Sequence, residues 1–529
     1  MKNKSITYVL ALVFVTLLIT TSEISYGIEK DSCATHGTYE IRTPHPKPQP
    51  RINGPLVYGC RPGNPFLYRI PCQGKRPIKF FAKGLPKGLT LDPATGIIAG
   101  TNPPQGEYIV VLKAENEAGH AKRQFKIVAG ETLALIPPMG WNSWYAHEWR
   151  VTDTIMREAA DIIIENGMAD VGYQYVNIDG CWTNTENNNS RTKDPLHFGP
   201  LRDEQGNILP NGHFPNMKGL VDYIHSKGLK AGIYSSPGPF DCARFAGSYQ
   251  HEEQDAHQIV ANWGFDFLKY DWCSYTEKAA KTADSKVPLE EMQKPYILMG
   301  DILRRQPRDV VFNLCQYGMG KVWEWGAKVG GQSWRTGGDL SFEPERIFEV
   351  ALRNAEYGAF VKPGAWNDPD YLILGRWTQR VGNKWIPDIP TKLTAEEQYS
   401  FMSLWCLLAS PLFLGGDIAQ LDEFTLNVLC NPEVIEVDQD PLGKSGKVIR
   451  KTNDCFLMVK DMADDSKAVG LFNQGKNAAE VVVDWAELQI FGKQSVRDLW
   501  RQKDLGVYKE KFSTQVPPRG VVLVKISKR

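Results

Sequence analysis

The residues best suited to chemistry lie where short apolar runs end. KYDWC places Asp271 two residues beyond Lys269. A nearby lysine keeps such a carboxyl ionised, because the cation stabilises the anion. An ionised carboxylate on a rigid strand is a competent nucleophile toward carbon. SWRTGGD supplies a second acid, Asp339, four residues after Arg335 and directly behind two glycines that let the chain bend. Two carboxyl groups about 5–5.5 Å apart, one attacking and one trading a proton, are what double displacement at a sugar's anomeric carbon requires. WNDPD adds Asp368 and Asp370 around a proline that fixes their directions. Trp144 and Tyr234 offer aromatic faces for a sugar ring. Each feature also has a purely structural reading. Lys269 can simply pair with Asp271 and Arg335 with Asp339, WNDPD can be a solvated turn, and both aromatics can be core.

Positioning these groups together needs a particular scaffold. Eight strand-like segments follow Ile136: Pro138–Trp144, Tyr173–Gly180, Lys230–Ser236, Phe265–Trp272, Val310–Cys315, Ser333–Asp339, Ala365–Asp370 and Pro411–Asp417. Amphipathic stretches such as Met217–Gly228 and Ala256–Gly264 lie between them. Alternation of this kind predicts a (β/α)8 barrel, whose strand C-termini form the functional rim. That rim would carry Trp144, Asp179, Tyr234, Lys269, Asp271, Cys315, Arg335, Asp339, Asp368, Asp370 and Asp417. A doubly wound sheet is the alternative, but no glycine-rich phosphate loop follows the first strand.

The flanks read differently. Lys2 and Lys4 precede an apolar run from Tyr8 to Ile19, with Ser25 and Gly27 after it, so residues 1–27 read as a secretory signal peptide. The run is short for a membrane span. Export outside the cytoplasm follows, with no stable membrane insertion after cleavage and periplasm or exterior left open. Residues 28–53 read as a Pro-rich linker, 54–130 as a small β-sandwich, 131–440 as the barrel, and 441–529 as an antiparallel β domain. With ten Cys in an exported chain, some should pair, and Cys60 and Cys72 are placed to bridge neighbouring strands. Nine His without CxxC or HxxxH spacing argue against structural zinc. Zero formal net charge gives no footprint for nucleic acid or an anionic membrane.

Seven motifs occur in order: PPMGWNSW, YVNIDGCW, HSKGLKAGIYSSPG, WGFDFLKYDWC, WNDPD, SPLFLGGD and QDPLGK. Together they resemble glycoside hydrolase family 27, which holds α-galactosidases and α-N-acetylgalactosaminidases. The likeness covers residues 136 to 450 and more weakly the C-terminal β domain. Gly84 to Thr101, GLPKGLTLDPATGIIAGT, resembles Ig-like modules attached to bacterial exported enzymes. The family resemblance implies cleavage of a terminal α-linked sugar, α-galactose first, from oligosaccharides or glycans with retained configuration. It implies Asp271 as nucleophile and Asp339 as acid/base. It assigns Trp144, Asp179, Tyr234, Lys269, Arg335 and Asp370 to the sugar, and a Cys242–Cys273 disulfide beside the nucleophile. No metal or organic cofactor is implied.

Two positions depart from the family pattern. IDGCW replaces IDDCW, so Gly180 stands where a second acid grips the sugar, removing an acceptor and leaving room. The family's CEW is here Cys315, Gln316 and Tyr317, which puts Gln316 on the loop facing the sugar. Cys181 and Cys315 lose their usual partners and are expected as free thiols. The alternatives to an α-galactoside are a substituted galactose, an isomalto-type α-glucoside or a β-L-arabinopyranoside. A different class of alternative is a sugar-binding protein whose barrel no longer cuts. The N-terminal module is read as a spacer.

Overall fold

The computed structural model describes residues 39–280, 286–341, 343–381 and 384–529. The expected signal peptide, residues 1–27, and residues 28–38 of the expected linker lie outside the described residues. No helix among those described is long and apolar enough to cross a membrane.

The barrel strands are β1 (Met139–Asn142), β2 (Tyr175–Asn177), β3 (Lys230–Ser235), β4 (Phe267–Asp271), β5 (Val311–Cys315), β6 (Ser333–Arg335), β7 (Trp366–Asp368) and β8 (Leu412–Leu414). They form one parallel sheet in sequential order, with β8 returning to pair with β1. Leu372, just past β7, bridges Leu414 in parallel and closes the ring. The helices between strands are α1 (Asp153–Glu165), α2 (Met217–Ser226), α3 (Glu252–Ala256, continued as a π-helix over His257–Trp263), α4 (Leu289–Arg304), α5 (Pro344–Glu356) and α6 (Ala395–Leu408). The β5–β6 crossover has only 3-10 turns, Met319–Glu324 and Gly326–Val329. Five glycines between 318 and 331 explain this, since each weakens a helix.

Strand alternation sorts the side chains. In β4, Phe267 joins Tyr175, Val311 and Phe413 in an apolar plug inside the barrel. Lys269 and Asp271 continue the same inward face toward the C-terminal rim. Tyr270 points the other way, edge-on to Tyr296 of α4. Apolar packing thus closes the bottom of the barrel and leaves the charged groups at the top.

The N-terminal module is a four-stranded and a three-stranded sheet with a two-stranded ladder beside them, around Phe66, Tyr68, Ile98, Val110 and Phe125. It seats on the bottom of the barrel. Asp309, ahead of β5, accepts hydrogen bonds from Arg61, Asn64 and Asn102 of the module at 2.7–3.0 Å. Lys230, the first residue of β3, donates to the Tyr58 hydroxyl. These contacts lie at the strand N-termini, opposite the rim. Cys60 and Cys72 are not bridged, which corrects the expectation. Cys60 lies in the four-stranded sheet and Cys72 pairs with Ile52 in a separate two-stranded ladder, each thiol buried.

The C-terminal domain is a six-stranded and a two-stranded antiparallel sheet closing on Leu457, Val469, Val483, Trp485 and Phe512. It packs on α6, which is buried from Gln398 to Leu408, its glutamates confined to the first turn. Trp500 Nε1 donates to Ser403 Oγ of that helix at 2.9 Å.

Candidate active site

Asp271 ends β4 and is 6% exposed. Each of its oxygens accepts one tyrosine hydroxyl: Tyr317 on Oδ1 at 2.6 Å and Tyr234 on Oδ2 at 3.0 Å. Parallel register explains Tyr234, whose Cα lies opposite Lys269. Tyr317 reaches the carboxylate from a left-handed backbone conformation, φ 65°, just after β5. Burial raises the pKa of Asp271, while the Lys269 ammonium and the Tyr317 hydrogen bond pull it down. The carboxyl group is therefore largely buried, oriented at both oxygens and facing a cation.

Lys269 Nζ pairs with Asp179 Oδ2 at 2.9 Å, both side chains buried. Burial works against the lysine's charge, but Asp179 and its other neighbours hold its pKa well above the ordinary value. Asp179 also accepts from Tyr371 at 3.5 Å. Arg335, ending β6, lies 3.0 Å from Asp370 Oδ2 and 3.2 Å from Asp339 Oδ1. Asp370 additionally accepts from the Tyr145 hydroxyl and the Leu340 and Tyr371 amides at 2.8–2.9 Å. Burial raises its pKa and Arg335 lowers it. Burial outweighs the four donors aimed at its oxygens, and the pKa is lifted to about 6. Asp339 differs from the other acids, with a side chain 65% exposed at the mouth.

One cavity collects Trp144, Asp179, Tyr234, Lys269, Asp271, Arg335, Asp339 and Asp370. Gln316 is not among its lining residues. Its amide turns away to donate to the Met319 carbonyl at 3.0 Å, and its neighbour Tyr317 takes the place in the wall. Gly180 leaves no room either. A Cβ there would stand 2.9 Å from Asp241 Oδ2, so Asp241 fills the volume that glycine was expected to open. Cys242 and Cys273 form a disulfide that ties the loop after β3 to the end of β4. Cys181 and Cys315 are free and buried. Burial pushes both thiols well above their usual pKa.

Tyr145, Asp241 and Tyr371 also line the cavity, and sequence reading did not single them out; Tyr317 lines it too and entered that reading only as part of the departure from CEW. Asp241 precedes a cysteine already assigned to the site, and Tyr317 follows Gln316, so adjacency was the available signal. Elsewhere, Asp194, His197 and His213 each bring a potential metal-ligand atom within 4.8 Å of the others. Hydrogen bonds already engage them, His213 to Asp194 and His197 to Thr192, both at 2.8 Å.

A buried, doubly hydrogen-bonded carboxylate beside a solvent-facing one, in a cup with acceptors and aromatic walls, suits a polyhydroxylated ring. Residues 136–440 match the family model described as alpha galactosidase A, and residues 452–526 match the alpha galactosidase C-terminal beta sandwich domain. The chain belongs to the α-galactosidase family of glycoside hydrolases. Residues 50–130 match the He_PIG Ig domain. Alpha-galactosidase 2 of Arabidopsis thaliana is 34% identical over 411 residues, 77% of this chain and 93% of that protein. A Bacteroides fragilis crystal structure, described as a candidate α-galactosidase/melibiase, has 35% identity and a TM-score of 0.81, covering 93% of this chain and all of that one. The family 27 β-L-arabinopyranosidase of Geobacillus stearothermophilus, solved with arabinose, has 26% identity and a TM-score of 0.65, over 75% of this chain and 98% of that one.

Proposed function

We propose that this family member is an exo-acting, retaining glycosidase that removes terminal α-linked galactose, with Asp271 as nucleophile and Asp339 as acid/base. The observation that carries the assignment is the division of labour between the two acids. Asp271 is largely buried and held at both oxygens by Tyr234 and Tyr317, so its attacking geometry is fixed before substrate arrives. Asp339 faces solvent, where a departing alcohol and an incoming water both pass.

In the first step an Asp271 oxygen bonds to the anomeric carbon as the glycosidic C–O bond breaks. Asp339 gives its proton to the leaving oxygen, and the aglycone departs as an alcohol. In the second step Asp339 takes a proton from water, whose oxygen attacks the same carbon and releases Asp271 as carboxylate. Two inversions return the starting configuration. Lys269, Asp179, Arg335 and Asp370 supply charged partners for ring hydroxyls, and Trp144 offers a face for the C–H side of the ring. Buried Lys269, Asp179, Asp370 and Tyr371 support exo action, because they close the inner end of the cavity to a continuing chain.

The glycosidase of Geobacillus, named for a sugar that lacks C6, supplies the second reading, since Gly180 removes a side chain from the wall. Asp241 favours galactose over it by keeping that wall filled with a carboxylate. Kinetics on paired 4-nitrophenyl α-D-galactopyranoside and β-L-arabinopyranoside separate the two. Faster turnover of the galactoside, lost in Asp271→Asn, is expected; near wild-type activity of that variant would remove Asp271 from the mechanism. Export is proposed from the leader-like N-terminus, and the Cys242–Cys273 disulfide supports it.

A further inference from the structure

Nothing in its backbone requires glycine at 180, since its φ is not in the left-handed region. What requires it is a neighbour. A Cβ at 180 would lie 2.9 Å from Asp241 Oδ2, 3.6 Å from the Tyr234 ring and 3.7 Å from Trp144. The first approach is closer than real Cβ contacts come. Glycine at 180 and aspartate at 241 are thus one spatial choice, made by two loops on successive strands.

Asp241 is more than a filler. Its Oδ1 is spent locally, accepting from the Ala243 and Phe245 amides at 2.7 and 2.9 Å. Its Oδ2 takes only the Cys181 amide, at 3.3 Å. A carboxylate oxygen accepts about two hydrogen bonds, so Oδ2 keeps one acceptor site unfilled. Asp241 lines the cavity alongside Trp144, Tyr234 and Asp271. The next residue, Cys242, is bridged to Cys273, two residues beyond Asp271, so the position of this carboxylate is tied to that of the nucleophile.

We propose that Asp241 is a specificity-determining residue whose Oδ2 accepts a hydrogen bond from one hydroxyl of the bound sugar, the loop after β3 supplying the carboxylate that the end of β2 lacks. The inference rests on the glycosidase reading above and deepens it. It fixes the ligand as a sugar with a hydroxyl directed at the Gly180 wall, and it makes one hydroxyl far more costly to lose than its chemistry at the anomeric carbon explains.

The test is a cycle of variant against substrate. Burial raises the Asp241 pKa to about 7, so the measurements are made above that pH, where Asp241→Asn keeps an oxygen for the Ala243 and Phe245 amides but removes the charge. kcat/KM is measured for wild type and variant on 4-nitrophenyl α-galactoside and its 2-, 3-, 4- and 6-deoxy analogues. Asp241→Asn is expected to lose roughly 10- to 150-fold on the parent sugar, the range for a hydrogen bond to a charged group. Against one deoxy analogue, already poor for wild type, the variant should lose little more. A uniform loss across the parent and all four analogues overturns the proposal. Should Asp241→Asn not fold, the relocation variant Gly180→Asp/Asp241→Ala is compared with Asp241→Ala. Recovery of at least tenfold in kcat/KM supports a substrate contact, and no recovery contradicts it, because a loop-capping role cannot be met from position 180. If wild type cleaves none of these galactosides, the glycosidase reading fails; if wild type cleaves them and the cycle shows no coupling, only the role of Asp241 fails.

Discussion

Replacing Tyr317 by phenylalanine should move the acid limb of the pH–rate profile upward. The Tyr317 hydroxyl donates to Asp271 Oδ1 at 2.6 Å, the shorter of the two tyrosine contacts to that carboxylate. Burial pushes the Asp271 pKa up, and the Tyr317 hydrogen bond is among the interactions that bring it down. A hydrogen bond to a charged group contributes about 1.5–3 kcal/mol. Its loss therefore lets burial raise the pKa of the carboxyl further. Protonated Asp271 cannot attack, so kcat/KM on the acid side falls by about 10- to 150-fold, the equivalent of that energy, while the plateau changes less. The assay is kcat/KM for 4-nitrophenyl α-galactoside in stopped samples from acid to neutral pH. Tyr234→Phe, which removes a longer bond, should move the limb less. An acid limb unmoved in Tyr317→Phe, or displaced downward, would refute the reasoning that this hydroxyl tunes the nucleophile.

Lys269→Met leaves Asp179 buried without its cation, which costs about 3–5 kcal/mol of folding stability and should show as a lower urea midpoint. An unchanged midpoint would mean that the pair is not buried as described. Stability should also depend on pH through two buried acids of opposite sign. Asp241 is pushed by burial from 3.8 to about 7, so the folded state holds a proton there that the unfolded chain has lost, and its contribution falls as pH rises between those values. Asp266 runs the other way. Burial raises it, but His225, Arg308 and Lys230 bring it from 3.8 to about 2, so its stabilisation is present above pH 4 and lost as pH falls toward 2. Thermal unfolding across pH 2–8 checks both branches, and Asp241→Asn should flatten only the upper one.

The barrel was legible because each strand carries its own signal. A run such as FDFLKYD alternates, with Phe267 at the plug and Lys269 and Asp271 on the same face above it. The β5–β6 crossover was less so, because its glycines replace an amphipathic helix with 3-10 turns. Residues brought to the cavity by strand ends were readable in the same way. Of those brought by loops, Asp339 and Asp370 were readable from their motifs, while Tyr317 and Asp241 were not. Tyr317 and not Gln316 faces the cavity in a loop where Tyr317, Gly318, Gly320 and Lys321 all have positive φ, a conformation that strand alternation does not foretell. Asp241 reaches Gly180 only through a contact between the loops after β2 and β3, and no local pattern encodes that approach. Glycine at 180 thus read as vacant space when it marks a neighbour.

The covalent intermediate is the point at which the whole account can be checked. Wild-type protein is incubated with a fluorinated α-galactosyl fluoride that forms the glycosyl-enzyme faster than it releases it. The acid-quenched sample is then digested, and the labelled peptide is sequenced by mass spectrometry. The account predicts one sugar ester per chain, on Asp271. A label on Asp339 or any other carboxyl, or turnover of the reagent with no adduct, would contradict it.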